Sequence, residues 1–219
     1  MTKRATQQSA VNSDFVIHSS LDEGVISTPE QVAELVSHID PHERVAIDTE
    51  ADSLHCYREK LCLLQVSLPE GDFLLDPLAE NDLSALANAL SRKEIVLHGA
   101  DYDLRLLRRA LDFRPTRVFD TVIAARLLAV REFSYAALVE KYFGIELAKG
   151  SQKANWALRP LSEKMEEYAR NDTHYLLALA EKLEKQLIER DRLEWFQQSC
   201  ERAIVSAAID RERDMAMPA

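Results

Sequence analysis

The sequence predicts an α/β domain: one mixed sheet flanked by helices, with a helical C-terminal part. Three observations predict it. Short apolar runs crowd the first half of the chain, at Arg44–Glu50 (RVAIDTE), Leu61–Leu68 (LCLLQVSL) and Asp72–Leu75 (DFLL). From about residue 81, strand-like runs alternate with helix-length segments. After about residue 120 the patterning is almost entirely helical.

In chain order, residues 1–13 are polar and expected to be flexible. Asp14–Ser19 reads as a short edge strand. Ser27-Thr28-Pro29-Glu30 marks a helix start, with hydroxyl caps before a first-turn proline. That helix should run to Ile39, with Val32, Leu35, Val36 and Ile39 on one face, and Asp40-Pro41 ends it. The three apolar runs then follow, and the short turn Pro69-Glu70-Gly71 suggests an antiparallel meander. A helix at about Asn81–Ser91 precedes strand Glu94–His98, helix Asp101–Leu111 and strand Arg117–Phe119. Helices are expected at Thr121–Leu128, Ser134–Phe143, Ser162–Arg190 and around Leu193–Ile209. Residues 144–161 form one long irregular connection, and such connections tend to be functional or mobile. The expected organisation is a loose 1–13, a compact domain over 14–190 and a helical tail over 191–219. There is no internal repeat or low-complexity run.

Composition narrows the function classes. The chain has 219 residues, 47% hydrophobic and 29% charged, which suits one globular domain with or without a tail. No apolar run reaches the roughly 18 residues of a membrane span. The N-terminal MTKRATQQSAVNSDF lacks the apolar region of a secretory signal. Cys56, Cys62 and Cys200 fit neither a disulfide framework nor a zinc cluster, so a reducing, cytoplasmic compartment is expected. The net charge of −10 argues against nucleic-acid binding by bulk positive charge. Residues 101–160 are the exception, with 11 Lys/Arg against 7 Asp/Glu. A phosphate-bearing partner and a solvated helix face both account for that excess.

The candidate chemistry lies in acids at element ends. Alternation puts Asp48 and Glu50 on one face of their strand. Two such carboxylates repel each other unless a cation sits between them or both reach water. The D-x-E spacing alone means little, since it recurs at Asp210-Arg211-Glu212 in the charged tail. Asp103 starts a helix just after strand Glu94–His98. Tyr168 and Asp172, at i and i+4, share one helical face. Each has an ordinary reading: a charge favoured by the helix dipole for Asp103, a packed aromatic for Tyr168, a surface acid for Asp172.

Together these residues resemble the DEDD-superfamily 3′–5′ exonucleases of the tyrosine subtype. Residues 46–67 (AIDTEADSLHCYREKLCLLQVS) are similar to the first motif region of the ribonuclease D group, and residues 97–107 (LHGADYDLRLL) to the second. Phe119-Asp120-Thr121 with Ala124–Leu128 resembles its intervening helix, and Trp156–Pro160 with Tyr168–Tyr175 its third region. The resemblance covers roughly residues 40–190 in order. Relatives commonly have Asp where Asn155 stands. About 29 residues follow Arg190, too few for a further domain, so a stand-alone catalytic domain is expected.

The resemblance implies an RNase H-like fold with a mixed five-stranded sheet. It implies a 3′–5′ exoribonuclease that uses two divalent ions, Mg²⁺ or Mn²⁺, on 3′ ends of single-stranded RNA and releases nucleoside 5′-monophosphates. A DNA 3′–5′ exonuclease on the same site is the alternative, and a non-catalytic nucleic-acid-binding module a third reading. Asp48, Glu50, Asp103 and Asp172 are the implied metal ligands, with Asp101 left as a helix cap. Asp48 would bridge both ions, Glu50 and Asp172 would hold the one that activates water, and Asp103 would act on the leaving-group side. Tyr168 would orient the water, because a phenol with a pKa of about 10 is a poor base at neutral pH.

The substrate contacts have alternatives. His98 is a candidate for the terminal ribose or phosphate, or a satisfied core histidine. Gln65 either reaches substrate or makes a structural hydrogen bond. Trp156 either stacks on a base or packs its loop, with packing favoured. Lys153 and Arg159 are candidate phosphate contacts or solvated charges. His55 and Tyr57 would line the groove or belong to a loop, and His174 would orient Asp172.

Overall fold

The computed structural model describes residues 24–53, 59–79, 81–148 and 150–209. The chain begins with β1 (Val25–Ile26), α1 (Pro29–Ile39), β2 (Arg44–Ala51), β3 (Leu61–Leu68) and β4 (Gly71–Leu75). Then come α2 (Ser84–Ser91), β5 (Glu94–Leu97), α3 (Asp101–Leu111), β6 (Arg117–Asp120) and α4 (Thr121–Leu127). It ends with α5 (Tyr135–Phe143), α6 (Glu163–His174), α7 (Leu176–Glu189) and α8 (Leu193–Ala208). The expected strand Asp14–Ser19, and His55, Cys56 and Tyr57, lie outside the described residues. Among the described residues no helix is long and apolar enough to cross a membrane.

The sheet runs β1-β4-β3-β2-β5-β6. β2, β3 and β4 form the antiparallel meander, and β5 and β6 add in parallel beyond β2. The five expected strands become six because β1 pairs in parallel with Leu74 and Leu75. Two residues carry no readable periodicity, so β1 exists only through its partner.

Alternation along β2 divides the core. Val45 and Ile47 pack with Leu35 and Ile39 of α1, Leu86 of α2 and Leu107 of α3 on one face. Burying each such side chain stabilises by about 1.5–3 kcal/mol. On the other face Ala46, Val96 and Phe119 pack against α4, α7 and α8. A third cluster, Leu63, Leu74, Trp156 and Ala169, fills the space between β3–β4 and α6. α8 belongs to this core, for its Phe196 and Cys200 are buried.

The predicted helix Ser162–Arg190 is two helices, α6 and α7, meeting at Tyr175. The Tyr175 N–H donates to the Tyr135 phenol of α5 at 3.1 Å. A partner 40 residues away in sequence thus takes up a backbone donor at the break.

Candidate active site

β2 is flanked by β3 and β5, so its carboxyl end lies inside the sheet. Asp48 and Glu50 project from the face that α6 covers, where the β2–β3 register shifts between Glu50 and Ala51. Helix α6 starts on a Ser162 cap, whose hydroxyl accepts from the Met165 N–H at 3.3 Å. It carries Asp172 to the same place. One carboxylate oxygen each from Asp48, Glu50 and Asp172 lies within 4.8 Å of the others.

Burial and mutual repulsion hold these groups toward their protonated forms. Asp48 is pushed well above the usual carboxylate range by burial, then by the charges of Asp103, Asp172 and Glu50. Glu50 is pushed up to about 9 by burial, with Asp172 and Asp103 adding to it. Burial raises Asp172 to about 7 against a lowering hydrogen bond from Tyr168. An all-carboxylate cluster that resists ionising by itself suits a hard divalent cation, which would relieve the repulsion.

Asp103 stands beside this trio and is itself buried. Its Oδ1 accepts from the Thr49 hydroxyl at 2.5 Å, and burial raises its pKa to about 6. The start of α3 is organised by Asp120. Its Oδ1 accepts from the Gly99 N–H at 3.1 Å and its Oδ2 from the Ala100 N–H at 2.9 Å. Gly99 has φ +84°, a turn conformation that favours glycine. Asp101, expected as the cap, pairs with Arg105 at i+4 instead. The residue before it, Ala100, occupies the N-cap.

Tyr168 donates its phenolic hydrogen to Asp172, and Gln152 bonds to the phenol. Burial and the charges of Asp172 and Glu50 raise its pKa far beyond neutrality. The loop comes close over the ring, since a Cβ on Gly150 would lie 2.8 Å from Tyr168 Cδ2. Tyr135 is a further neighbour: burial raises its pKa most, and Asp172 and Asp48 add to that.

The remaining candidates take varied places. The Thr121 hydroxyl donates to the Leu97 carbonyl at 3.0 Å and is 2.8 Å from His98 Nδ1. Nδ1 therefore carries the hydrogen and Nε2 is the acceptor. Burial lowers the His98 pKa, favouring this neutral form. Gln65 has no exposed surface. Trp156 is 1% exposed and packs against Leu63 and Leu74, with the Tyr168 ring 6.2 Å away.

Arg159 does not present its donors to a phosphate. Nε and Nη2 donate to Asp76, Nη2 also to the Cys62 carbonyl, and Nη1 to the Trp156 and Leu158 carbonyls. It clamps the loop to β3 and the end of β4. Lys153 is exposed on that loop. Asn155 accepts from the Ala157 N–H at 3.1 Å, a local turn contact. His174 pairs with Asp72 at 2.6 Å, not with Asp172. Thr49, Asp120, Gly150 and Tyr135 went unread as site residues. Thr49, within residues 46–67, and Asp120, within Phe119-Asp120-Thr121, lay inside recognised motif regions, whereas Gly150 and Tyr135 left no signal.

A family model described as a 3′–5′ exonuclease matches residues 24–188. The ribonuclease D of Psychromonas ingrahamii is 32% identical over 88% of this chain and 52% of its own length. Exosome complex component 10 of Rattus norvegicus is 36% identical over 76% of this chain and 19% of its own length. The crystal structure of Escherichia coli RNase D, an exoribonuclease involved in structured RNA processing, superposes with a TM-score of 0.78 at 29% identity. That superposition covers 84% of this chain and 50% of that one. The chain thus spans about half of the ribonuclease D proteins and about a fifth of the exosome component.

Proposed function

The chain belongs to the 3′–5′ exonuclease family, and on that premise we propose that it is an exoribonuclease of ribonuclease D type. It hydrolyses the last phosphodiester at a free 3′ end of single-stranded RNA and releases nucleoside 5′-monophosphates. The observation that carries this reading is the convergence of Asp48 and Glu50 of β2 with Asp172 of α6 within 4.8 Å, where Asp172 shares a helix face with Tyr168.

Asp48, Glu50, Asp172 and the adjacent Asp103 are the residues that would hold two divalent ions, Mg²⁺ or Mn²⁺. Such ions neutralise charge on the reacting phosphate and make a bound water acidic at neutral pH. Tyr168 stays protonated, so it positions water through its hydroxyl and takes no proton. Asp172 holds that hydroxyl in place. Thr49 fixes Asp103 by donating its hydroxyl to Oδ1. His98 offers Nε2 as an acceptor, which suits a ribose hydroxyl better than a phosphate oxygen.

A time course with 5′-labelled RNA and DNA strands of one sequence, each with Mg²⁺, Mn²⁺ or EDTA, tests this. Metal-dependent shortening from the 3′ end, faster on RNA and lost in Asp172→Asn, is the expected result. Faster shortening of DNA would make it a DNA exonuclease. Full activity in Asp172→Asn, or none with either metal in the wild type, would overturn the proposal.

A further inference from the structure

Gln65 lies in the middle of β3 with no exposed surface, and neither its Oε1 nor its Nε2 has a hydrogen-bond partner among the described residues. An unpartnered buried amide carries the desolvation cost of both its ends. Leucine or methionine of similar size would fill the position without that cost.

The surroundings of Gln65 point to a use. The strand register places it opposite Asp48 on β2 and Leu74 on β4. Residues directly opposite in antiparallel strands share a face, with Cβ atoms about 4.5–5.5 Å apart. The Gln65 side chain therefore leaves β3 next to that of Asp48, on the face that α6 covers, and its amide is within a side chain's reach of the Asp48 carboxyl. Leu63, two residues earlier, and Leu74 are apolar and offer it nothing. Asp48 is the charged side chain opposite it.

We propose that Gln65 is a positioning residue for the metal site. Its Nε2–H donates to the Asp48 carboxylate in the metal-loaded protein and holds that carboxylate in its ligating orientation. This rests on the metal-dependent reading above. An ionised carboxylate offers about four lone-pair sites, so metal ligation leaves some for an amide donor. Partners that orient metal ligands are typically worth 10–100-fold in metal affinity.

The test uses two near-isosteric variants, Gln65→Met and Gln65→Leu, beside the wild type. Calorimetry follows Mn²⁺ binding to EDTA-stripped protein, melting is measured without metal, and kcat and KM for RNA are measured across Mn²⁺ concentrations. The metal-free melting temperature should hold or rise, because the substitution removes an unpartnered amide. Mn²⁺ affinity should fall about tenfold or more. The Mn²⁺ concentration for half-maximal kcat should rise in step, while KM at saturating Mn²⁺ stays put. Unchanged Mn²⁺ affinity in both variants would overturn the proposal. So would a lost or lowered melt in both, which would give Gln65 a purely structural role. A wild type that binds no Mn²⁺ would overturn the metal-dependent reading itself, and the wild-type titration separates that failure from the others.

Discussion

Thr49 stands between two acids in the chain and serves a third. Its hydroxyl donates to Asp103 Oδ1 at 2.5 Å across a separation of 54 residues. Strand alternation turns Thr49 away from the face of Asp48 and Glu50. The strand that supplies two carboxylates on one face thus tethers the helix that supplies Asp103 from the other.

Thr49→Val keeps the side-chain shape and removes the donor. Asp103 then loses a contact that lowers its pKa and titrates above its present value of about 6. The expected loss is about 1–2 kcal/mol of stability, from the oxygen left unsatisfied. Turnover should fall about tenfold, in line with a lost orienting contact. Thr49→Ser should retain both. Urea unfolding and kcat on labelled RNA check this, and wild-type kcat in Thr49→Val would count against it.

The acid cluster makes the metal-free protein sensitive to alkali. Asp103, Asp172 and Glu50 have native pKa values of about 6, 7 and 9, all above the unfolded range. A raised acid pKa means that the native state keeps protons which the unfolded chain releases. The resulting stability is fully present below about pH 4 and is lost as pH rises through the native values. Melting temperature in EDTA should therefore fall between about pH 5 and pH 9. Asp172→Asn should flatten that slope, since the amide does not titrate. Added Mn²⁺ should stabilise more as pH rises, because ligation releases protons. A flat EDTA profile would rule this out.

Gly150 sets the position of Tyr168. A methyl at Gly150 would lie 2.8 Å from Tyr168 Cδ2, closer than real contacts allow, so the ring and the loop must move apart. Gly150→Ala should lower kcat roughly tenfold to a hundredfold through misplacement of the phenol. The exposed site should leave the melting temperature nearly unchanged. In a Tyr168→Phe background the same change should do little more. Equal, additive losses in the two backgrounds would show that Gly150 acts elsewhere.

Asp120 joins two helix starts. Besides Gly99 and Ala100 before α3, it accepts from the Val122 N–H at 2.8 Å and the Ile123 N–H at 3.3 Å at the start of α4. Asp120→Ala removes the α4 cap and the acceptor of the two N–H groups before α3, and should cost about 1–4 kcal/mol. Because α3 carries Asp103, turnover should also fall at temperatures where the variant remains folded. Asp120→Asn should lose less of each. Denaturant melts and kcat at low temperature separate the two effects.

Several features were legible because they depend only on local periodicity. Period two put Asp48 and Glu50 on one face, and i, i+4 spacing did the same for Tyr168 and Asp172. Thr28 and Gln31 form the capping box where Ser27-Thr28-Pro29 announced a helix. Other features depended on distant partners. Arg159 looked like a loop cation until Asp76, 83 residues earlier, took its guanidinium. Nothing near Tyr175 announces that Tyr135 will accept its N–H.

The sequence by itself determined the α/β class, the antiparallel meander, the apolar faces and which acids lie at element ends. All of these follow from side-chain type and backbone period within a dozen residues. Only the tertiary structure decided which polar groups are satisfied. It gave Asp103 to Thr49, clamped the long connection through Arg159 and left Gln65, opposite Asp48, without a hydrogen-bond partner among the described residues. A buried hydrogen bond between segments far apart in the chain depends on sheet register and helix packing, which no local pattern encodes.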